Sequence, residues 1–374
     1  MTLVHRFWRS GWAQVAFGAV AFFIAVIVLW WRGPDWGSVM DALRIVTWSW
    51  ILLALALNVA STLFRALSWR LTLSQALPPE HQPRLDHVLS SFGVGLLANA
   101  VIPGRLGELA RVATLRRHLP DAPHGTSATL VGTVFAHRLF DLVPASILVI
   151  WVLLTAEVPH WAVVSFVIAA LVGFALFTVA WLGARRHKSS MVSESVGSVR
   201  HFLSMARDGL SVLKAPVPLA GAVLLQCLGW LMQLLAVYVA MQAFEIDAPL
   251  PAAGLVLVLM NVATIIPLWP GNVGLVQAAV ALPLRNYGVA YSTGFAYGIV
   301  LQAIEMACGV GLGLIAIARE GISFAMLRRM QEEQASSEDA LEGVREMVDE
   351  LEQEQEQQHE QEQEAAREGA AVPR

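Results

Sequence analysis

Arg105, Glu108 and Arg111 stand three residues apart, a spacing that stacks them on one face of a helix starting at Gly104. Arg138 and Asp141 repeat that spacing, and Glu305 is the single charge in a long apolar run. A charge placed centrally in an apolar span costs about 2.5–3.5 kcal/mol on insertion scales, so neither helix propensity nor packing accounts for these residues. The chemistry that suits them is anion recognition. A planar guanidinium can bond two phosphate oxygens at once. Arg105, Arg111 and Arg138 are therefore candidate contacts for the phosphate of an anionic lipid. Glu108 and Asp141 would neutralise and orient those arginines when the site is empty. Asn99, Asn272, Gln277 and Glu305 complete the candidate binding set. The competing reading is a buried ion-pair network that locks helices together, with the two asparagines bonding freed backbone groups.

The chain shows no nucleophile–base pair, P-loop or GxGxxG. It is expected to be no enzyme and to need no cofactor. His81, His87, His118 and His124 fall in no metal-ligand spacing, and His137 reads as a packed helix residue. Cys227 and Cys308 lie in apolar runs and form no CxxC, so no metal and no disulfide is expected.

The elements that must position these residues are membrane helices. Of 374 residues, 56% are hydrophobic and 14% charged, and the mean hydropathy is +0.58. Soluble domains carry about 25% charged residues. A whole-chain reading as soluble enzyme, nucleic-acid binder or disordered polymer is thereby excluded. Runs of about 20 apolar residues can cross a bilayer. Six such crossings are expected, at 10–31, 45–64, 122–156, 158–184, 215–244 and 286–318, the second stopped by Arg65, Trp69 and Arg70. The tryptophans read mainly as interfacial belts at the span ends.

Two more apolar segments, 87–104 and 248–284, are broken by Pro and Gly: Pro103, Gly104 and Gly107 in the first, Pro267, Pro270, Gly271 and Gly274 in the second. Irregular backbone at membrane depth survives only under a cover of protein or in a water-filled cavity. Both read as re-entrant or broken hairpins. The fold class is thus all-α, a polytopic helical membrane protein of six crossings plus two hairpins, or eight segments on another count.

Basic residues concentrate in the pieces assigned to the cytoplasm, among them Arg6, Arg9, Arg70, Arg84, Arg116, Arg117, Arg185, Arg186 and Lys188. This positive-inside bias puts both termini in the cytoplasm of an inner or plasma membrane. Residues 191–214 read as an amphipathic interfacial helix. Residues 331–374 carry 15 acidic and three basic residues in a Gln/Glu-rich stretch that reads as a solvated tail or a docking tail for a basic partner.

Pro103-Gly104-Arg105-Leu106-Gly107 aligns with Pro270-Gly271-Asn272-Val273-Gly274 at an offset of 167, and the same offset brings Arg138 onto Glu305. The expected domains are a first membrane repeat at 1–158, a second at 159–330 and the tail. Three crossings per half turn the second half upside down. Inverted repeats with broken segments point to a transporter whose site lies between the repeats.

The stretch Asn99-Ala-Val-Ile-Pro103-Gly-Arg105-Leu-Gly107-Glu108-Leu-Ala-Arg111 closely resembles the Asn-x-x-x-Pro-x-Arg-x-Gly-Glu-x-x-Arg signature of the lysylphosphatidylglycerol synthase transmembrane region, the flippase-like UPF0104 family. His137-Arg138-Leu139-Phe140-Asp141 resembles that family's Glu-Arg-x-x-Asp element, and Pro270 to Gln277 resembles its Pro-Gly-x-x-Gly-x-x-Glu element. The resemblance covers roughly residues 10–320. His137 and Gln277 each stand where the family has Glu, which removes two carboxylates. No soluble aminoacyl-transferase segment follows, only the acidic tail. The resemblance therefore implies the lipid-translocating half: a flippase-like protein moving an anionic lipid or polyprenyl-linked intermediate between leaflets. The alternative is a non-transporting scaffold for a lipid- or glycan-modifying enzyme, which would then be its protein partner. No nucleic acid is expected as a partner.

Overall fold

The computed structural model describes residues 34–101, 107–119, 126–158, 215–264 and 272–320. All regular structure among them is helical. The helices are α1 (Trp36–Arg44), α2 (Trp48–Ala76), α3 (Leu85–Val101), α4 (Gly107–Arg117), α5 (Thr126–Thr155), α6 (Pro216–Gln242), α7 (Leu250–Ala263), α8 (Leu275–Leu284) and α9 (Tyr291–Glu320). Short 3-10 turns at Pro79–His81 and Arg285–Tyr287 join them. The chain divides into two compact units, Met1–Ala316 and Ile317–Arg374.

Four helices, α2, α5, α6 and α9, are long and apolar enough to cross a membrane. They match four of the six crossings expected from sequence. The expected crossings at 10–31 and 158–184 (beyond Val158), the amphipathic stretch 191–214 and the tail 331–374 lie outside the described residues. One expectation is corrected. The second crossing does not stop at Arg65 but continues as helix to Ala76. Trp69 is no interfacial belt residue: it is fully buried and donates its Nε1–H to Thr133 Oγ1 at 3.1 Å. The aliphatic run was long enough without this turn, so nothing in the sequence required the helix to go further.

Helix α1 is short and half exposed, capped by Asp35, whose carboxylate accepts from Gly37 N at 3.1 Å and from Ser38 Oγ at 2.6 Å. Those donors, Ser38 Oγ–H first, hold the Asp35 carboxyl below its ordinary pKa.

Helices α2 and α6 lie antiparallel along their lengths. Thr47 N donates to Ala243 O (3.1 Å) at one end and Ser68 Oγ donates to Ala222 O (2.8 Å) towards the other. Gly229 permits the approach, since a Cβ there would stand 3.0 Å from Arg65 Cγ and 3.2 Å from Ser61 O.

Helices α3 and α4 form an antiparallel pair. Gly107 N donates to Asn99 Oδ1 at 2.8 Å near the break, and the rings of His87 and His118 stack 4.0 Å apart at the far end. At 17 and 11 residues these helices are about 26 and 16 Å long, shorter than the roughly 30 Å hydrocarbon core. Helices α7 and α8 meet at a second break. There Asn272 Nδ2 donates to Ala263 O at 2.8 Å, and Asn272 and Gly274 both take positive φ, +44° and +91°.

The packing has two centres. One gathers Ile51 and Ala54 of α2, Leu148 and Val152 of α5, the α7–α8 pair and Phe295 to Ile304 of α9. The other gathers Ala66, Trp69 and Leu73 of α2, Leu130 and Val134 of α5, and the α3–α4 pair. The two pairs thus pack against opposite ends of the same long helices. The turns of α2 and α5 between the two centres, 58–65 and 137–141, carry Asn58, Arg65, His137, Arg138 and Asp141.

Candidate functional site

Between the two packing centres lies a cavity of about 230 Å³. It is lined by the middle turns of α2, α5, α6 and α9 and by the facing ends of α3 and α4. Arg138 sits 12 residues past Thr126, about 18 Å along the 30-residue α5, so the cavity lies near the centre of the spanning helices.

Helix geometry sets the first contacts. One turn of α5 puts Arg138 Nη1 3.3 Å from Asp141 Oδ2, and one turn of α4 puts Arg111 Nη2 3.6 Å from Glu108 Oε2. Arg138 Nη2 also bonds Glu108 Oε1, so a single guanidinium ties α4 to α5. Asp141 Oδ1 accepts from Trp230 Nε1 at 3.0 Å and from Gln226 Nε2 on α6.

Arg111 is held differently. Its side chain is 5% exposed, and the guanidinium lies 4.1 Å from the Trp69 ring centre and 4.9 Å from that of Phe92. Cation–π contact between two faces fixes the plane of the fork. Its Nε and Nη2 have no hydrogen-bond partner, and neither has His137 Nδ1, which is also buried against the edge of Phe92. Buried donors without partners are rare in native proteins, because each costs about 1–3 kcal/mol. Arg111 thus lines the cavity with Glu108 Oε2, at 3.6 Å, as its only ionic partner among the described residues and with two buried N–H groups unbonded, which leaves it donor capacity for an anionic acceptor.

On the opposite wall Arg65 Nη2 donates to Gln233 Oε1 at 2.5 Å, and its guanidinium lies 5.3 Å from the Trp230 ring centre. Gln233 Nε2 donates in turn to Glu305 Oε1 at 3.3 Å.

The structure therefore brings together Glu108, Arg111, Arg138, Asp141, Asn99 and Glu305 of the residues expected from sequence. Asn99 acts on the backbone, accepting from the first N–H of α4. Asn272 and Gln277 do not line the cavity. Gln277 Oε1 accepts from Gly274 N at 2.6 Å and its Nε2 donates to Gln302 Oε1 at 2.5 Å, so both amides serve the second break. Arg138 and Glu305, equivalent at the offset of 167, do not pair with each other. Arg138 is taken by Glu108 and Asp141, and Glu305 by Gln233. Arg105, Pro103, Gly104, Pro267, Pro270 and Gly271 lie outside the described residues.

Sequence reasoning missed Arg65, read as a span terminator, and the polar side of α6. The signal for the latter was present. Gln226, Trp230 and Gln233 recur at helical spacing on an otherwise apolar helix, and all three reach cavity charges.

Comparison with known proteins extends this picture. The family described as "Lysylphosphatidylglycerol synthase TM region" matches residues 13–313. Two proteins of Methanothermobacter thermautotrophicus, each named "UPF0104 membrane protein", are similar to this chain. One is 23% identical over 84% of this chain and 97% of its own length, the other 21% identical over 73% and 83%. No solved structure matches at a significant level.

Proposed function

The chain belongs to the lysylphosphatidylglycerol synthase transmembrane-region family, and from that premise we propose that it translocates an anionic lipid or a polyprenyl-linked intermediate between leaflets. The carrying observation is the guanidinium of Arg111, buried between two aromatic faces with Nε and Nη2 unbonded, at a cavity near the middle of the long apolar helices. A charged head group crossing the hydrocarbon needs such a polar way-station. Arg111 and Arg138, with Arg105, would meet the phosphate. Glu108 and Asp141 hold Arg138 in place while the cavity is empty. The substrate moves and is not chemically altered.

The architecture we propose has six crossings, two re-entrant hairpins and an inverted repeat, with both termini in the cytoplasm of a cell membrane. The packing of the two helix pairs at opposite ends of α2 and α5 supports the inversion. So does the offset that aligns the two broken segments. Alternating access would then exchange the exposure of the cavity between the two sides. The second reading, a scaffold for a lipid- or glycan-modifying enzyme, draws on the acidic tail as a surface for a basic partner.

The test is movement of fluorescent phosphatidylglycerol in liposomes alongside melting temperature. Arg111→Lys keeps the charge but loses the planar fork and its stacking, and Glu108→Gln keeps the shape but leaves Arg138 with Asp141 as its one carboxylate. Both are expected to slow lipid movement while the protein stays folded. Wild-type rates in a stable Arg111→Lys protein would remove the site and put the scaffold first.

A further inference from the structure

Glu305 stands apart from the other two carboxylates of the cavity. Glu108 and Asp141 each pair with Arg138. Glu305 forms no ion pair among the described residues, and its one hydrogen bond comes from a neutral amide, Gln233 Nε2, at 3.3 Å. It sits at the middle of α9, fourteen residues past Tyr291. Through Gln233 it connects to Arg65, whose Nη2 is bonded to the same amide and whose buried Nε has no partner.

Resting on the anionic-lipid reading above, we propose that Glu305 is a proton-binding site coupled to the head group: the cavity takes up a proton at Glu305 when the anion binds and releases it when the anion leaves. An anionic head group entering the cavity engages donors of Arg111 and Arg65 and withdraws the field of Arg65, the cation linked to Glu305 through Gln233. It also places a like charge in the same low-dielectric space. Both changes favour the protonated carboxyl. The proton goes onto a Glu305 carboxylate oxygen, and Gln233 can rotate its amide to accept from the acid as it donates to the anion. By linkage the effect is reciprocal, so acid on one side favours loading on that side. A pH difference across the membrane would then bias the direction of lipid movement. The other charged and titratable groups sharing this cavity are Arg138 and Asp141 with His137 on α5, Arg111 and Glu108 on α4, Arg65 on α2 and Cys308 on Glu305's own helix. Of the carboxylates only Glu305 lacks a cationic partner.

The experiment measures binding of short-chain dihexanoyl-phosphatidylglycerol to the purified full chain in detergent, from pH 5 to 8. Calorimetry in buffers of different ionisation enthalpy counts the protons taken up. For the wild type the affinity should fall as pH rises, approaching about tenfold per pH unit, with uptake of about one proton. Glu305→Gln should bind with a flat pH profile and take up none. Glu305→Asp should keep the slope, displaced along the pH axis. Zwitterionic dihexanoyl-phosphatidylcholine should show no such slope. A slope that persists in Glu305→Gln, or a flat wild type that still binds, would overturn the proton site and leave the anionic-lipid reading standing. No binding by the wild type at any pH would overturn that reading and this inference together.

Discussion

The two helix pairs solve the same backbone problem with different side chains. Each restarts a broken helix by giving an early N–H a side-chain amide acceptor: Asn99 Oδ1 for Gly107 in the first, Gln277 Oε1 for Gly274 in the second. From there they diverge. The first pair turns Glu108 and Arg111 to the cavity and leaves guanidinium donors unsatisfied. The second spends its amides internally, Asn272 on Ala263 O and Gln277 on Gln302, and its polar side chains do not reach the cavity. Breaking a helix and restarting it on a side-chain amide is therefore a device shared by both pairs. The charges placed on one of the breaks are what set it beside the cavity's ionic groups. A buried polar group that finds its partner within the protein contributes to the fold, whereas one that does not is available to substrate.

The contrast is broken most forcefully at Arg111. Replacing it with Met, of similar length and apolar, should lower lipid movement roughly 10- to 100-fold, as expected for charge-assisted hydrogen bonds. The melting temperature should change little, because relief of the buried, unbonded N–H groups offsets the lost 3.6 Å pair with Glu108 and the two ring contacts. A falling melting temperature with proportionate activity would mean that the first pair is as structural as the second.

A substitution at the break itself should be costly in stability for either pair. A Cβ at Gly107 would fall 2.1 Å from Gly95 O and 2.4 Å from Asn99 Cγ, so Gly107→Ala must push α3 and α4 apart. A loss of about 1–3 kcal/mol is expected. Gly274→Ala meets a φ of +91° and should cost about 1–2 kcal/mol through backbone strain alone. Thermal unfolding in detergent reads both. If Gly107→Ala unfolds at the wild-type temperature, the close approach is not what holds the first pair together.

Gln277→Leu sharpens the comparison from the other side. It removes the acceptor of Gly274 N and the donor to Gln302 Oε1, so stability should fall by about 1–3 kcal/mol. Lipid movement per folded molecule should be unchanged. Activity lost beyond the loss of folded protein would return Gln277 to the binding set.

The smallest effect belongs to Asp35, remote from both pairs. Its carboxyl is held below the ordinary value by Ser38 and Gly37 donors. The stability it contributes is present above the unfolded-state pKa and disappears as pH falls through the lower folded value. Asp35→Ala should slightly lower the melting temperature at neutral pH, with the difference shrinking as the solution is made acid, which thermal scans across pH can follow.

Much of the fold was legible in the chain. Length and hydropathy alone placed α2, α5, α6 and α9, because a bilayer demands a long run of apolar residues and tolerates few alternatives. Pro and Gly marked both breaks. Helical spacing foretold the contacts of Arg111 with Glu108 and of Arg138 with Asp141, since each closes within one turn. What failed were statements that join distant segments. Arg65 looked like a terminator, and only the antiparallel seam of α2 with α6 brings it to Gln233, 168 residues away.

The sequence by itself determined that this is a helical membrane protein, where its helices break and which charges must be sheltered from lipid. These follow from local spacing and from the cost of exposing polar groups to hydrocarbon. Only the tertiary structure decided which of those charges are already paired and which are not. Arg138 bonds Glu108 across 30 residues, Arg111 stacks between Trp69 and Phe92 on two other helices, and Glu305 is left with an amide alone. Pairing is a property of packing, which sets the distances between helices that the chain order does not encode.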